Sequence, residues 1–106
     1  MTDPSNRNAS SDPAVERTVR IRNRAGMHAR PAAAFVKLAG KYRAEIQVAR
    51  DGLEVNGKSI MGVLMLAAEQ GSELRLRGEG EDAREALEAL AALVEDGFGD
   101  AGSEEV

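Results

Sequence analysis

Residues 44–57 read Ala44-Glu45-Ile46-Gln47-Val48-Ala49-Arg50-Asp51-Gly52-Leu53-Glu54-Val55-Asn56-Gly57, and this stretch decides the fold. Ala44, Ile46 and Val48 alternate with Glu45, Gln47 and Ala49, the period-two pattern of a strand with one buried face. Asp51-Gly52 is a strong hairpin dipeptide, because the favoured two-residue turn needs positive φ at its centre. Leu53-Glu54-Val55 returns as a short strand, and Asn56-Gly57 turns the chain again. One-sided alternation of this kind belongs to an antiparallel or mixed sheet with a wet face. Parallel strands buried on both sides read instead as continuous apolar runs.

The flanking sequence extends the pattern. Upstream, Val19 and Ile21 alternate with charged neighbours over residues 15–22, predicting a first strand. After a loop at 23–26 a helix is predicted to start near His28, with Pro31 in its first turn, where a missing N–H costs nothing. Ala32, Phe35, Val36 and Ala39 share one face of that helix, and Gly40 suits its end. Downstream, Ser59 is placed as an N-cap ahead of a short apolar helix over residues 60–68 that stops near Gly71. Leu74 and Leu76 alternate with Glu73, Arg75 and Arg77 as a fourth strand, broken by Gly78 and Gly80. Asp82 and Glu85 resemble a capping box for a last helix that carries Ala83, Ala86, Leu87, Leu90, Leu93 and Val94 on one face. The predicted order is β-α-β-β-α-β-α. The fold class is α+β, an open-faced β-sandwich with a four-stranded antiparallel sheet and three helices on one face.

The chain has 106 residues, enough for one domain of modest core. Residues 1–14 are polar and expected to be a disordered extension, residues 15–96 the domain, and residues 97–106 a frayed acidic tail. With no cysteine, disulfides and thiolate metal sites are excluded. The first residues carry no apolar segment of the kind that directs secretion. The longest apolar stretch, residues 60–68, falls far short of the roughly 20 residues of a membrane span. A cytoplasmic protein that does not engage a membrane is therefore expected. The net charge of −4 argues against general nucleic-acid binding. The charge is unevenly placed: residues 15–50 hold nine Lys and Arg against two Glu, and residues 51–106 hold four against fourteen Asp and Glu. The basic first half suits an anionic ligand or an acidic partner surface.

Chemistry concentrates on the single histidine. His28 sits in Gly26-Met27-His28-Ala29-Arg30-Pro31-Ala32, at a loop–helix junction where its ring can be exposed. The backbone N–H groups of Ala29 and Arg30 lie in the first helical turn, where no intrahelical acceptor exists, and the helix dipole favours an anion there. Arg30 adds a permanent positive charge. A neutral imidazole is a nucleophile, and a phosphoryl group attached to it would have its oxygens held by those donors. Phosphoryl transfer mainly requires such charge stabilisation. For a lone histidine taken by itself, a helix-start cap or a solvated ring is the commoner reading. One histidine without cysteine makes a poor metal ligand set, and neither metal nor organic cofactor is implied.

This segment resembles the active-site signature of the HPr family of histidine phosphocarrier proteins. A second segment, Asn56-Gly57-Lys58-Ser59-Ile60-Met61-Gly62-Val63, resembles that family's serine-site signature, and the order and spacing of elements over residues 15–96 are similar too. The resemblance implies that His28 accepts a phosphoryl group on Nδ1 from enzyme I, charged in turn by phosphoenolpyruvate. His28 would then donate it to IIA-type proteins for sugar uptake or regulation, with Arg30 stabilising the phosphohistidine. It implies a partner surface that includes Lys37, Ile60, Met61, Leu64 and Met65, and a monomer that is a carrier and not an enzyme. Ser59 would be a regulatory phosphorylation site for an HPr kinase/phosphorylase. A phosphate there would sit at a helix N-terminus and put a dianion beside Ile60 and Met61. The alternative is a purely regulatory module, as in nitrogen-related phosphotransfer, with no sugar-transport role. The chain departs from the family at Ala25, where a small polar residue usually precedes the glycine, and in its long N-terminal extension.

Residues 52–59, Gly-Leu-Glu-Val-Asn-Gly-Lys-Ser, also match the P-loop pattern letter for letter. Three features count against it. The segment reads as a strand between two turns, the strand before it alternates, and no apolar strand ending in Asp follows to hold Mg²⁺.

Overall fold

The computed structural model describes residues 14–99. Residues 1–13 and 100–106, on which most of the expected extension and tail fall, lie outside the described residues. Strand β1 (Val15–Arg20) is followed by helix α1 (Ala29–Ala39), strands β2 (Glu45–Arg50) and β3 (Leu53–Asn56), helix α2 (Ile60–Met65), strand β4 (Glu73–Glu79) and helix α3 (Ala83–Glu95). The four strands form one antiparallel sheet in the order β1-β4-β2-β3. This is the expected open-faced sandwich, with helices covering one face.

Register explains the two faces. Val19 pairs with Leu74, Arg17 with Leu76, and Val48 with both Leu76 and Val55, so Val19, Leu74, Leu76, Ile46 and Val48 point into the helical layer. Phe35, Leu87, Leu90 and Val94 meet them from α1 and α3, and all four are fully buried. Each such side chain contributes about 1.5–3 kcal/mol of burial. The other face carries Glu16, Arg77 and Glu79, where Arg77 pairs with Glu79 at 2.9 Å and Glu16 at 3.8 Å. These are exposed pairs of small energetic value.

Four details differ from the sequence reading, each for a physical reason. Gly78 does not break the last strand: it pairs with both Val15 and Ile46 in the middle of the sheet. A Cβ there would come within 2.8 Å of Leu87 Cδ1, so the glycine is what lets α3 lie close on β4. Helix α2 ends at Met65 instead of running to residue 68, and Ala67 turns left-handed at φ 49°. Arg50 Nη1 donates to the Leu66 carbonyl at 3.1 Å and satisfies that helix end. Residues 97–99 do not fray: they form a 3₁₀ turn with Phe98 buried. The apolar ring outweighs the glycines on either side.

The fourth difference concerns Asp82. It is the N-cap residue of α3, but its carboxylate makes no cap hydrogen bond. Oδ2 accepts from the Arg43 N–H at 2.9 Å and Oδ1 from the Ala44 N–H at 2.8 Å. The expected capping box is thus a long-range clamp on the loop that enters β2. Lys58 Nζ holds the same loop by donating to the Tyr42 carbonyl at 2.7 Å.

The Arg43 N–H is the main reason that the Asp82 carboxyl sits below its ordinary value of 3.8; partial burial opposes this, and the Ala44 N–H and the Lys58 charge assist. The ionised clamp therefore stabilises the fold fully above the unfolded-state value and is lost as pH falls through the lower folded-state value. Urea unfolding across acid pH checks this. The wild type should lose stability below about pH 4, and Asp82→Asn should be less stable at neutral pH with a flatter acid limb. Equal acid slopes in the two proteins would show that the clamp does not titrate.

Candidate functional site

The loop from residue 21 to residue 28 builds the first part of the site. Ile21, the residue after β1, is held to the 71–72 turn: its N–H donates to the Ser72 carbonyl and its C=O accepts the Gly71 N–H. Asn23 then turns inward and is buried. Gly26 takes φ 74°, and its bare Cα allows a close crossing of two chain segments. A Cβ there would lie 2.6 Å from the Ala68 carbonyl oxygen and 2.9 Å from Glu69 Cα. The crossing is sealed by the Met27 N–H, which donates to the Ala68 carbonyl at 2.8 Å. Met27 itself is buried in the core.

His28 emerges next as the N-cap of α1, in extended conformation, with its ring exposed and no side-chain cap bond. Its N–H donates to the Gly26 carbonyl at 3.0 Å and its C=O accepts the Ala32 N–H at 2.9 Å. The ring nitrogens are thus not spent on capping. Ala29 and Arg30 follow, both exposed, and Pro31 is buried as a residue without an N–H. Ala29 and Arg30 are the first two residues of the helix, in the turn whose N–H groups have no intrahelical acceptor. His28 thus stands at the N-terminal, electropositive end of an 11-residue helix.

Ser59 begins the second part. It is the N-cap of α2, and its Oγ accepts the Gly62 N–H at 3.0 Å. Behind it Ile60, Met61 and Met65 are 40%, 69% and 64% exposed, Leu64 is half-buried, and Val63 anchors the helix in the core. Helices α1 and α2 pack on one another, so this apolar surface lies beside the helix that begins at His28. Lys37 is exposed in the last turn of α1.

The P-loop pattern dissolves in three dimensions. Residues 53–56 are strand β3, paired with β2, and Gly57 N–H donates to Ile46 C=O at 2.7 Å. Lys58 N–H is taken by Asn56 Oδ1 and its Nζ by Tyr42 C=O, which leaves no cradle for phosphates. No cluster of three or more metal-ligating side chains exists among the described residues. No helix among them is long and apolar enough to cross a membrane.

Two contributors escaped the sequence reading. Asn23 looked like an ordinary loop residue, since a single buried polar group leaves no periodic signal. The role of the Ala68 carbonyl is a backbone property that no side chain announces.

Comparison with known proteins agrees with this architecture. The family described as PTS HPr component phosphorylation site matches residues 15–96. Phosphocarrier protein HPr of Treponema pallidum is 50% identical over 84 residues, covering 79% of this chain and 96% of that protein. The crystal structure of a phosphocarrier protein HPr from Bacillus anthracis superimposes with a TM-score of 0.76 at 47% identity, over 78% of this chain and 99% of that one. Crh of Bacillus subtilis, described as a catabolite repression protein and a swapping-domain dimer, superimposes with a TM-score of 0.64 at 44% identity, over 78% of this chain and 95% of the other.

The crossing at Gly26 generates a direct test. Gly26→Ala meets both a left-handed φ, costing about 1–2 kcal/mol, and a carbonyl oxygen that must move. Denaturant unfolding should show a loss of at least that size, with fast hydrogen exchange at the Met27 amide. Wild-type stability in this variant would mean that the two loops are not tied as described.

Proposed function

Since the chain belongs to the HPr family, the phosphocarriers of the phosphotransferase system and not enzymes in their own right, we propose that His28 is the residue that carries the phosphoryl group. The observation that carries this reading is the exposed ring at the start of α1, held by backbone bonds on both sides with no ring nitrogen used as a cap. A ring nitrogen, Nδ1 by family resemblance, uses its lone pair to form the N–P bond. The bond from phosphorus to the donor breaks, and the donor keeps that electron pair. The donor is phospho-enzyme I, charged from phosphoenolpyruvate, and the acceptors are IIA-type proteins. The Ala29 and Arg30 N–H groups and the Arg30 side chain offset the charge of the phosphoryl oxygens. No cofactor takes part, and the work is done in the cytoplasm.

Docking falls on Lys37, Ile60, Met61, Leu64 and Met65. Support comes from the exposure of Ile60, Met61 and Met65, a contiguous apolar surface of the kind that marks interaction sites. Ser59 is a regulatory phosphorylation site for an HPr kinase/phosphorylase. A phosphate on its Oγ displaces the Gly62 N–H bond and places two negative charges next to Ile60 and Met61. The likeness to Crh favours a second reading, in which the chain serves regulation without sugar uptake. The active form in either reading is a monomer, as the family resemblance implies.

Incubation with phosphoenolpyruvate and the cognate enzyme I, followed by intact mass, tests the carrier role. One acid-labile phosphoryl group should appear on the wild type and be absent from His28→Ala, which should keep its fold because His28 is exposed. Transfer to His28→Ala would assign the chemistry elsewhere. Ser59→Asp should slow uptake from enzyme I, and an unchanged rate would remove the inhibitory role. Light scattering of the full chain at micromolar concentration should give a single-chain mass; a doubled mass would indicate an exchange of elements like that described for Crh.

A further inference from the structure

Asn23 is the single buried polar residue among the described residues, 4% exposed. Its Nδ2 donates to the Gly26 carbonyl at 2.8 Å, and the Gly26 N–H returns to the Asn23 carbonyl at 3.1 Å. The same Gly26 oxygen accepts the His28 N–H at 3.0 Å. One carbonyl therefore joins a buried side chain to the backbone of the exposed histidine. Only an amide nitrogen can donate to that carbonyl, so the orientation of the Asn23 amide is settled. Its Oδ1 is left buried without a hydrogen-bond partner among the described residues. That is a cost which an apolar side chain at position 23 would avoid. The nearby Ala25 has no polar side chain that could hold the loop instead.

We propose that Asn23 is a positioning residue for phosphoryl transfer at His28, acting through the Gly26 carbonyl to fix the backbone from which the imidazole projects. The proposal rests on the reading of His28 as the phosphoryl carrier. Its mechanism is geometric. With the Gly26 oxygen pinned, His28 is held at φ −89° and ψ −168°, and the ring leaves the helix start in one direction. The attacking nitrogen must meet phosphorus in line with the leaving bond, and a displacement of about 1 Å can cost a hundredfold in rate. Without the Asn23 amide, the Gly26–Met27 peptide plane keeps only the Met27 N–H bond to Ala68 as its outside anchor, so the Gly26 carbonyl can tilt about that bond and shift the His28 N–H that it accepts.

Asn23→Ala and the near-isosteric Asn23→Asp test the proposal, the latter by setting a carboxylate oxygen against the Gly26 oxygen. Leu90→Ala serves as a destabilised core control remote from the loop. Single-turnover uptake from phospho-enzyme I is measured at a temperature where circular dichroism shows every variant folded. Both Asn23 variants should be slowed about ten- to a hundredfold at saturation. Their half-saturating enzyme I concentration should stay within about twofold of wild type, because docking is untouched. Hydrogen exchange at the His28 amide should accelerate in both, and neither effect should appear in Leu90→Ala. Wild-type transfer and His28 exchange in the Asn23 variants would overturn the positioning role. So would a slowing that Leu90→Ala shares, which would make Asn23 merely structural. Absence of phosphoryl uptake by the wild type would overturn the His28 reading itself, and the positioning role with it.

Discussion

The hydrogen bond from the Met27 N–H to the Ala68 carbonyl, 2.8 Å long, ties together the two loops on which the site is built. It forms only because residue 26 has no side chain: a Cβ would sit 2.6 Å from that same oxygen. It also requires α2 to stop early. A helix continued through residue 68 would direct the Ala68 carbonyl along its own axis, not across to Met27. The chain leaves the helix at Leu66 instead, with Arg50 satisfying the Leu66 carbonyl and Ala67 in the left-handed region. Left-handed alanine costs about 1–2 kcal/mol, which the crossing and its neighbouring contacts offset. A local sequence preference is overruled here by a contact between segments some forty residues apart.

A second pair of restraints holds the other end of α1. Asp82 grips the Arg43 and Ala44 N–H groups, and Lys58 grips the Tyr42 carbonyl. The segment between α1 and β2 is therefore fastened from the start of α3 on one side and from the residue next to Ser59 on the other. Helix α1 is restrained at its first residue by the Gly26 crossing and just past its last residue by this clamp. Its buried face, Ala32, Phe35 and Ala39, does the rest.

The sequence made the periodic parts legible and concealed the rest. Strand alternation at Ile46 and Val48, the Asp51-Gly52 turn and the apolar stripe of α3 each repeat a local rule often enough to be read. Ser59 as a cap and His28 as an exposed helix-start residue were also legible, because their roles depend on neighbours close in sequence. Asp82 misled because a carboxylate at a helix start has two outlets, its own first turn or a foreign N–H pair. Only the tertiary fold brings Arg43 and Ala44 within reach. Gly78 misled because a glycine that admits a packed helix looks, in one dimension, like a glycine that ends a strand. Phe98 was hidden by the glycines around it, although it takes a positive φ to reach the core.

The two halves of the surface differ in how the backbone is held and in the side chains they expose. Around His28 the backbone is fixed by bonds at Asn23, Gly26, Met27 and Ala32, and Met27 beside it is buried in the core. Along α2 the exposed side chains are Ile60, Met61 and Met65. Methionine has three rotatable bonds and a polarisable sulfur, so it adapts to surfaces of different shape at little cost. On the proposed reading of His28 and its partners, a transfer reaction that uses one atom with several proteins is served by this division. The reacting nitrogen must be presented the same way each time, whereas the contact surface must reshape itself for each partner. On the same reading, a rigid aromatic in place of Met61 would fit one partner well and the others poorly. A flexible loop in place of the Gly26 crossing would leave every partner to find the imidazole anew.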